Sequence, residues 1–439
     1  MTRPTLTRSA RTARRTYPGG PARPGTVPVT AALIGTLALQ SAIPPFATDM
    51  YTPAFPQVTL ALATQATLVG LTLTAFFVGL GAGQLVGGPV SDQRGRRVPL
   101  IVGGVLCTLG AIACALAPSI WFLVAARLVQ GFGGGIAAAV ARAVLIDVAR
   151  GDRLARLMSV LMAIGGLAPM IAPVAGAAVV TAGTWRTVFW ALAALGALMI
   201  VTAVLVVPET LPVERRRRGG LRHSVGQFGE VLRIRSFVGY TLTSAFSAFT
   251  MMAYIANASY VLQVGKGMGA MAYAMFFAST ALAQILLTLV NARLVGRIPT
   301  RRLIGVGLTA STAAVVALTL GVGLWGTPLI LTCAGFLLLM AVQAFIFGNS
   351  AALGAAETTH AAGSAAGLQG VVQAIAMAVA APLASAGGGS TAWPMVAVML
   401  VGVGLAWVSL LLFAPRGPGS RAARQLVAGR APQGSVGAA

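Results

Sequence analysis

The chain has 439 residues, of which 57% are hydrophobic and only 9% are charged. A soluble protein carries about 25% charged residues, so a chain this apolar cannot cover a water-facing surface and must cross a membrane several times. The formal net charge of +23 would suit a nucleic-acid-binding protein. The arginines fall in short breaks between long apolar runs, however, and this placement argues against that class.

Twelve apolar runs are long enough to cross a bilayer as helices, since a spanning helix needs about 20 apolar residues. The spans are predicted at 29–52, 64–86, 98–116, 120–145, 157–181, 187–207, 236–260, 269–291, 303–323, 328–349, 364–385 and 393–413. The sequence therefore predicts an all-α integral membrane protein with twelve transmembrane helices.

The longest interior break, at 212–235, contains four consecutive arginines and divides the spans into six plus six. The predicted organisation has a disordered basic tail, a six-helix bundle, a cytoplasmic central loop, a second six-helix bundle and a second disordered tail. Their predicted bounds are 1–28, 29–211, 212–235, 236–413 and 414–439.

Arginine placement predicts the orientation. Almost all arginines lie in the two tails, in the central loop and in the loops after spans 2, 4 and 8, whereas the opposite side receives only Arg186 and Lys266. Because basic loops stay in the cytoplasm, we expect a multi-pass protein of the inner cell membrane with both termini cytoplasmic.

Two motifs identify a family. The loop after span 2 has the spacing Gly-x-x-x-Asp-x-x-Gly-Arg-Arg over 88–97, and span 4 contains Arg127-x-x-Gln130-Gly131. Both resemble motifs of the major facilitator superfamily. The resemblance implies two six-helix bundles related by a parallel repeat, with the substrate site between them. The loop that begins at Asn291 lies where a second copy of the first motif would fall, and it keeps the arginines but lacks the acid.

Asp49 is the one charged residue between Arg23 and Asp92. An ionised carboxylate inside a membrane is costly and is therefore a candidate to gain and lose a proton. Hydropathy alone also allows a position at the outer rim of span 1. The string Asp49-Met-Tyr51-x-Pro-Ala-x-Pro resembles the first helix of the bicyclomycin- and chloramphenicol-resistance branch of drug:proton antiporters, which implies a role for Asp49 in proton and substrate coupling.

Arg127 lies about two turns into span 4, where an arginine must face a partner or a water-filled cavity. The candidate partners are Asp49, an anionic group of a substrate, or backbone carbonyls. In the family, the arginine of this motif is implicated in proton transfer, so Arg127 is expected to adjust the proton affinity of Asp49 and to orient the ligand.

A cytoplasmic gate is predicted around the loop after span 2. Asp147 is expected to pair with Arg96 or Arg97, and Arg142 lies on the same end of span 4. The resemblance further implies that Asp92 faces the N-terminus of span 11, near 363–364. Such contacts would hold the cytoplasmic side closed in one state and break in the other.

Span 5 contains Pro169, Pro173 and Gly176, and prolines inside a helix bend or loosen it. The string resembles the antiporter motif of helix 5, but it has Ala before each proline where that motif has Gly. The strings Trp185–Trp190 before span 6 and Pro208–Pro212 after it fit the same branch and are interpreted as structural.

The predicted substrate-binding residues combine polar groups from both halves with aromatic and methionine-rich walls, which suit varied apolar ligands. They are Asp49, Tyr51, Gln130, Tyr254, Asn257, Gln343 and Gln373.

The expected activity is proton-coupled efflux of small, mostly apolar drug-like compounds by a monomer in the lipid bilayer. No nucleotide-binding loop and no metal-ligand spacing is present in the sequence, so no cofactor is expected. Import or export of an endogenous metabolite is the alternative. An intramembrane enzyme would need a nucleophile–base pair in the spans, and a sensor would need a soluble output domain; the sequence favours neither.

Overall fold

The computed structural model describes residues 29–149, 151–216, 229–358, 362–387 and 391–414. The predicted tail at 1–28, residues 415–439 of the predicted tail at 414–439, and residues 217–228 of the predicted central loop lie outside the described residues.

Seven α-helices form the first six spans. Span 1 consists of α1 (Ala31–Asp49), a 3₁₀ turn (Thr52–Ala54) and α2 (Phe55–Ala61), and the next five spans are α3 (Ala66–Arg94), α4 (Arg97–Ala115), α5 (Ile120–Val148), α6 (Gly151–Ala182) and α7 (Trp185–Val206). A 3₁₀ turn at Val213–Arg215 follows span 6.

Seven further helices form spans 7 to 12. Span 7 is α8 (Arg235–Ser259) with a π-helical turn (Tyr260–Val264), span 8 is α9 (Ala270–Leu294) and span 9 is α10 (Thr300–Trp325). Span 10 consists of α11 (Leu329–Val342), a 3₁₀ turn (Gln343–Phe345) and α12 (Phe347–Glu357). Span 11 is α13 (Ala362–Ala384) with a 3₁₀ turn (Ser385–Gly387), and span 12 is α14 (Trp393–Leu412). By length and composition, twelve spans of the described chain can cross a membrane, as predicted.

Span 1 is longer than the sequence predicts. The helical path continues beyond residue 52 and ends at Ala61. Pro53 and Pro56 each stand in the first turn of a short helix, where their missing N–H groups would have no intrahelical partner in any case. Asp49 therefore lies well inside span 1 and not at its rim.

The pattern of helix contacts repeats after six spans. In the first half span 1 packs on span 5, span 2 on span 4, and span 3 on spans 4 and 6; in the second half span 7 packs on span 11, span 8 on span 10, and span 9 on spans 10 and 12. Between the halves, span 2 packs on span 11 and span 5 on span 8. This arrangement is two six-helix bundles related by a parallel repeat.

Glycines allow spans 2 and 4 to touch backbone to backbone. A Cβ atom on Gly79 or Gly83 would collide with the carbonyl oxygen of Leu128 or Phe132, and one on Gly131 with the carbonyl oxygen of Phe76. Small residues permit this close approach of membrane helices. This close contact fixes the rotation of span 4 against span 2 and therefore the direction in which Arg127 faces.

The halves are joined near the end of the bundle opposite the arginine-rich loops, here called the far side. The Thr59 hydroxyl lies 2.8 Å from that of Tyr260, Gln263 donates to the carbonyl of Pro53 at 3.2 Å, and the hydroxyl of Thr74 donates to the carbonyl of Ala378. On the arginine-rich side, the described ion pairs stay within the first half. The structure is therefore closed on the far side.

Candidate functional site

Asp49 ends α1 just below the closed far side. It is 6% exposed, and its Oδ1 lies 3.0 Å from the Thr48 hydroxyl. That hydroxyl also lies 3.2 Å from the carbonyl oxygen of Pro44 and 3.0 Å from that of Pro45. A hydroxyl has one proton to donate, so Thr48 cannot satisfy both the backbone and the carboxylate.

Two buried tyrosines of the second half face the Asp49 region. Tyr254 of span 7 and Tyr273 of span 8 are fully buried, and both spans contact the 3₁₀ turn Thr52–Ala54 that follows Asp49. Asp49 thus lies at the junction between the halves, where a change in its charge acts on both.

Arg127 is completely buried in an aromatic enclosure of the first half. Its guanidinium carbon lies 4.4 Å from the ring centre of Phe76, 5.1 Å from that of Tyr51 and 5.8 Å from that of Phe189. A guanidinium over aromatic faces gains cation–π attraction, which is stronger where water is excluded.

The hydrogen bonds of Arg127 leave part of its donor capacity unused. Its Nη1 donates to the carbonyl of Ala47 at 2.9 Å and to Oε1 of Gln130 at 2.8 Å. Its Nε and Nη2 have no hydrogen-bond partner in the described structure. Of the three partners expected for Arg127, the structure shows a backbone carbonyl. The described contacts of Arg127 do not include the Asp49 carboxylate, which was another of the candidate partners.

Tyr51 and Gln130 belong to the Arg127 group. Tyr51 packs on Phe55 and Phe189 with ring centres 4.8 and 5.0 Å apart, and its hydroxyl accepts from Thr72 at 3.4 Å. Gln130 is 1% exposed. In this conformation both predicted substrate-binding residues are covered by protein.

The predicted binding residues of the second half form a separate set. Tyr254 packs on Phe277 and Phe336, with ring centres 5.5 and 4.8 Å apart. Asn257 is fully buried, and both polar atoms of its amide lack a partner in the described structure. Gln343 donates to the carbonyl of Ser247 at 3.5 Å, and Gln373 is half-buried.

Gly176 of the predicted antiporter helix lies against span 1. A Cβ atom at this position would collide with the carbonyl oxygen of Met50, the residue after Asp49. Pro169 and Pro173 lie inside the same helix, Gly151–Ala182. Span 5 also contacts span 8 of the other half, so this helix connects the Asp49 segment to the junction between the halves.

The predicted gate residues Asp92, Arg96 and Asp147 meet on the arginine-rich side. Arg96 Nη1 lies 2.6 Å from Asp92 Oδ1, and Arg96 Nε lies 2.8 Å from Asp147 Oδ2. The side chains of Arg96 and Asp147 are 8% and 18% exposed, whereas that of Asp92 is 43% exposed. The two acids raise the pKa of Arg96 against the opposing effect of its burial. An interaction of Asp92 with the N-terminus of span 11 stays a prediction.

Arg97 and Arg142 do not join this cluster. Both are exposed, and Arg97 Nη2 donates to the carbonyl of Val204 at the end of span 6 at 2.7 Å. The loop thus sends one arginine inward to the acids and another outward to the membrane-facing surface.

Glu209 and Thr210 complete the gate cluster, although the sequence marks their string only as structural. Glu209 Oε1 accepts from the backbone N–H of Arg96 at 2.8 Å and of Leu211 at 3.0 Å, and so it caps the start of span 3. The Thr210 hydroxyl donates to Asp147 Oδ2 at 3.2 Å.

The pKa of Glu209 reflects this capping role. Partial burial on its own would raise it. The N–H donors of Arg96, Leu211 and Arg97, together with the Arg216 guanidinium 3.9 Å away, outweigh burial and lower the pKa of Glu209 from its ordinary value of 4.5.

The second half carries a neutral counterpart of the gate cluster. Spans 8 and 10 correspond to spans 2 and 4 in the repeat, and there Asn349 Nδ2 donates to Asn291 Oδ1 at 2.9 Å. Asn291 and Asn349 are 8% and 3% exposed. Where the first half uses an arginine and two carboxylates, the second half uses a buried pair of amides.

Comparison with known proteins agrees with the fold. The family model "Major Facilitator Superfamily" matches residues 37–381. The structure resembles a bacterial homolog of the human lysosomal transporter Spinster in an inward-facing, occupied conformation, with a TM-score of 0.72, 16% identity and coverage of 90% of this chain and 100% of the other. It also resembles a D-xylose–proton symporter, with a TM-score of 0.68, 16% identity and coverage of 88% and 98%.

Sequence relatives are found over nearly the same length. An uncharacterized MFS-type transporter of Bacillus subtilis, YdgK, is 36% identical over 372 residues, which are 84% of this chain and 91% of that protein. A bicyclomycin resistance protein homolog of Haemophilus influenzae is 27% identical over 368 residues, or 83% and 91% of the two chains. Multidrug resistance protein MdtL of Escherichia coli O157:H7 is 26% identical over 377 residues, or 85% and 93%. These relatives support the resemblance to the drug:proton antiporter branch that the Asp49 string indicates. With its twelve spans, its repeat and this family match, the chain belongs to the Major Facilitator Superfamily.

Proposed function

We propose that this protein exports small, mostly apolar drug-like compounds across the inner cell membrane in exchange for protons, by alternating access. The observation that carries the proposal is the burial of Asp49 between the halves, just below the closed far side. The names of the bicyclomycin-resistance and MdtL relatives support the proposal that the substrates are drug-like compounds. In this proposal the arginine-rich side is cytoplasmic.

In the proposed cycle, Asp49 is ionised when the site is open to the cytoplasm and the substrate binds. The halves then rock, the contacts of Thr59 with Tyr260 break, and the carboxylate takes a proton from the more acidic outside. Substrate leaves, and the neutral site returns to face the cytoplasm, where Asp49 releases its proton. The proton gradient supplies the energy, and we propose that a monomer suffices and that no cofactor is required.

Arg127 has a supporting part in this cycle. Its two unpartnered donors are costly to leave buried, because a hydrogen-bonding group loses its water without gaining a partner. When the bundle opens, a polar group of the substrate or a water molecule can occupy them. Arg127 then orients ligand from the first half, while Asn257, with both amide atoms unpartnered, does so from the second.

The aromatic side chains near the proposed site favour a mostly apolar, drug-like substrate. Rings of Tyr51, Phe55 and Phe189 pack together in the first half, and rings of Tyr254, Phe277 and Phe336 pack together in the second. Such surfaces bind flat or bulky apolar molecules with a few polar groups.

The test is uptake of labelled chloramphenicol-like and other candidate drugs into inverted vesicles under an imposed pH gradient. Asp49→Asn keeps the shape of the side chain and removes its charge, so gradient-driven uptake should be lost while substrate binding, measured without a gradient, is retained. Glu214→Gln, at an exposed acid after span 6, is the matched control and should transport like wild type. Full uptake by Asp49→Asn would refute coupling through this carboxylate.

The alternative is proton-coupled movement of an endogenous metabolite. The match to a B. subtilis transporter without an assigned substrate is compatible with either. The sign of accumulation distinguishes export from import, because an exporter concentrates its substrate inside inverted vesicles and an importer inside right-side-out ones.

A further inference from the structure

An open groove of about 320 Å³ lies on the outside of the first half, at the arginine-rich end. It is formed where the start of span 1 meets the end of span 6 and the start of span 3. Thr30, Leu33, Arg97, Leu205, Val206 and Pro208 are among the residues that line it. The groove is remote from Asp49 and Arg127, so the transport cycle proposed above does not use it.

The charged group of this groove is Arg97. The acids that neutralise the neighbouring Arg96 are Asp92 and Asp147, and the Arg97 side chain takes part in none of the described ion pairs. Its Nη2 donates to the carbonyl of Val204, which holds the guanidinium at the groove, and Arg97 is exposed. The N-terminus of span 1, capped by Thr30, adds the positive end of a helix dipole to the same place.

The walls of the groove continue into the membrane as an apolar stripe. Leu198, Val201 and Leu205 lie three and four residues apart on one face of span 6 and are 50%, 51% and 78% exposed. In a chain that spans a bilayer, residues so exposed on the outer face of the bundle meet acyl chains. A molecule with an anionic head at Arg97 and a hydrocarbon chain along span 6 would match both parts.

We propose that this groove binds one anionic phospholipid of the leaflet on the arginine-rich side, with its phosphate at Arg97 and an acyl chain along Leu205 and Val201. The inference does not depend on the proposed drug transport. It requires only that the spans lie in a bilayer.

Charge excludes the other obvious occupant, the segment before Val29 in this chain. Residues 1–28 contain six arginines and no acid, so they carry the same sign as Arg97. A phosphodiester carries the opposite sign, and Arg binds phosphate oxygens with its planar fork of donors.

The loop provides a matched control arginine. Arg94 is also exposed, but the groove beside it, lined by Val86, Val90 and Val98, has only about 80 Å³. Arg94→Gln and Arg97→Gln remove the same charge from the same loop, and only Arg97→Gln removes it from the larger groove.

The experiment is native mass spectrometry of the purified full chain incubated with phosphatidylglycerol or with phosphatidylcholine of the same acyl chains. Wild type should retain one phosphatidylglycerol more strongly than phosphatidylcholine. Arg97→Gln should weaken phosphatidylglycerol retention by about fivefold, the effect of one arginine at an anionic membrane surface. Arg94→Gln should change it less than twofold.

A second variant separates a lipid site from a simple anion site. Leu205→Gln, at a highly exposed position where folding is little affected, should weaken retention of both lipids. Glycerophosphoglycerol, which has the headgroup without the chains, should not displace the lipid at equal concentration. Equal retention by wild type and Arg97→Gln would overturn the proposal. So would displacement by glycerophosphoglycerol or inorganic phosphate at concentrations comparable to the lipid.

Discussion

Gly176 of span 5 lies directly against the backbone carbonyl of Met50, the residue that follows Asp49. The contact joins the predicted antiporter helix to the segment that holds the buried acid. Met50 directly follows α1 and precedes the 3₁₀ turn at Thr52–Ala54. Because its carbonyl cannot move without displacing these elements, the size of residue 176 controls the position of that segment.

Gly176→Ala should therefore damage both stability and transport. The added methyl group must push spans 1 and 5 apart, and overpacking of this kind costs about 1–3 kcal/mol. Thermal unfolding of the purified protein and drug uptake in vesicles measure the two effects. The control is Gly166→Ala in the same helix, where a Cβ atom meets nothing within 4 Å; it should leave both unchanged or raise stability slightly. Equal behaviour of the two variants would contradict the close contact.

The gate cluster should contain one strong and one weak ion pair. In double-mutant cycles, Arg96→Gln with Asp147→Asn should give a coupling of about 1–3 kcal/mol, as expected for partners in one buried network. Arg96→Gln with Asp92→Asn should give about 0.2–1 kcal/mol, because the Asp92 side chain is 43% exposed and well screened by water. Unfolding free energies of the single and double variants provide the couplings. A larger coupling energy for Arg96 with Asp92 than for Arg96 with Asp147 would show that the cluster is arranged differently in the membrane.

Glu209→Gln should destabilise the protein in a pH-dependent way. The folded state lowers the pKa of Glu209 below 4.5, so its contribution is fully present above pH 4.5 and is lost as pH falls through the lower folded value. Loss of a helix cap costs about 0.5–2 kcal/mol, and partial exposure of Glu209 places the effect at the lower end. Thermal unfolding of variant and wild type should differ at pH 7 and converge in more acidic buffer. A difference that stays constant with pH would mean that the charge of Glu209 is not what matters.

A disulfide across the far side should stop transport. A Cβ atom on Gly70 would lie 3.2 Å from the Cβ atom of Ser385 in the other half, so a small shift gives the 3.5–4.5 Å of a disulfide. Oxidised Gly70→Cys/Ser385→Cys should be inactive in vesicles and recover after reduction. Each single variant, oxidised in the same way, controls for reaction of the introduced cysteine with Cys107, Cys114 or Cys333. Undiminished transport by the oxidised double variant would mean that these ends do not separate during the cycle.

Proton stoichiometry follows from the position of the acids. Asp49 lies inside span 1, whereas the other acids of the described spans, Asp92, Asp147, Asp152 and Glu357, lie at or near span ends on the arginine-rich side. We therefore expect about one proton per substrate. The potential at which an imposed substrate gradient balances an imposed pH gradient measures the ratio. A ratio clearly above one would require a second titrating group.

The fold was predictable to a large extent because its two determinants are visible along the chain. Apolar runs of about 20 residues locate the spans, and arginine-rich breaks separate them. Span 1 was predicted too short because Thr52-Pro53-Ala54-Phe55-Pro56 has the composition of a loop. Both prolines in fact begin short helices, so the span continues to Ala61 and Asp49 becomes buried.

Pairings within the site were less predictable, because one sequence does not show which helix faces meet. Arg127 and Asp49 are both charged residues inside spans of the first half, which made them candidate partners. The glycine contacts of span 4 instead turn Arg127 toward Phe76 and the carbonyl of Ala47. Tyr273 and Glu209 were missed because nothing in the sequence around them indicates that they belong to a site. A tyrosine at the start of a span and an acid in a short loop carry no local signal of their distant partners.

The amide pair Asn291–Asn349 and the ionic cluster around Arg96 lie at corresponding positions of the two six-helix bundles. The two halves thus place different chemistry at corresponding positions of the repeat. Mobile ions weaken attractions between charges but leave amide hydrogen bonds nearly untouched. The two clusters therefore differ in their dependence on ionic strength, and added salt is expected to weaken mainly the partly exposed Arg96–Asp92 pair.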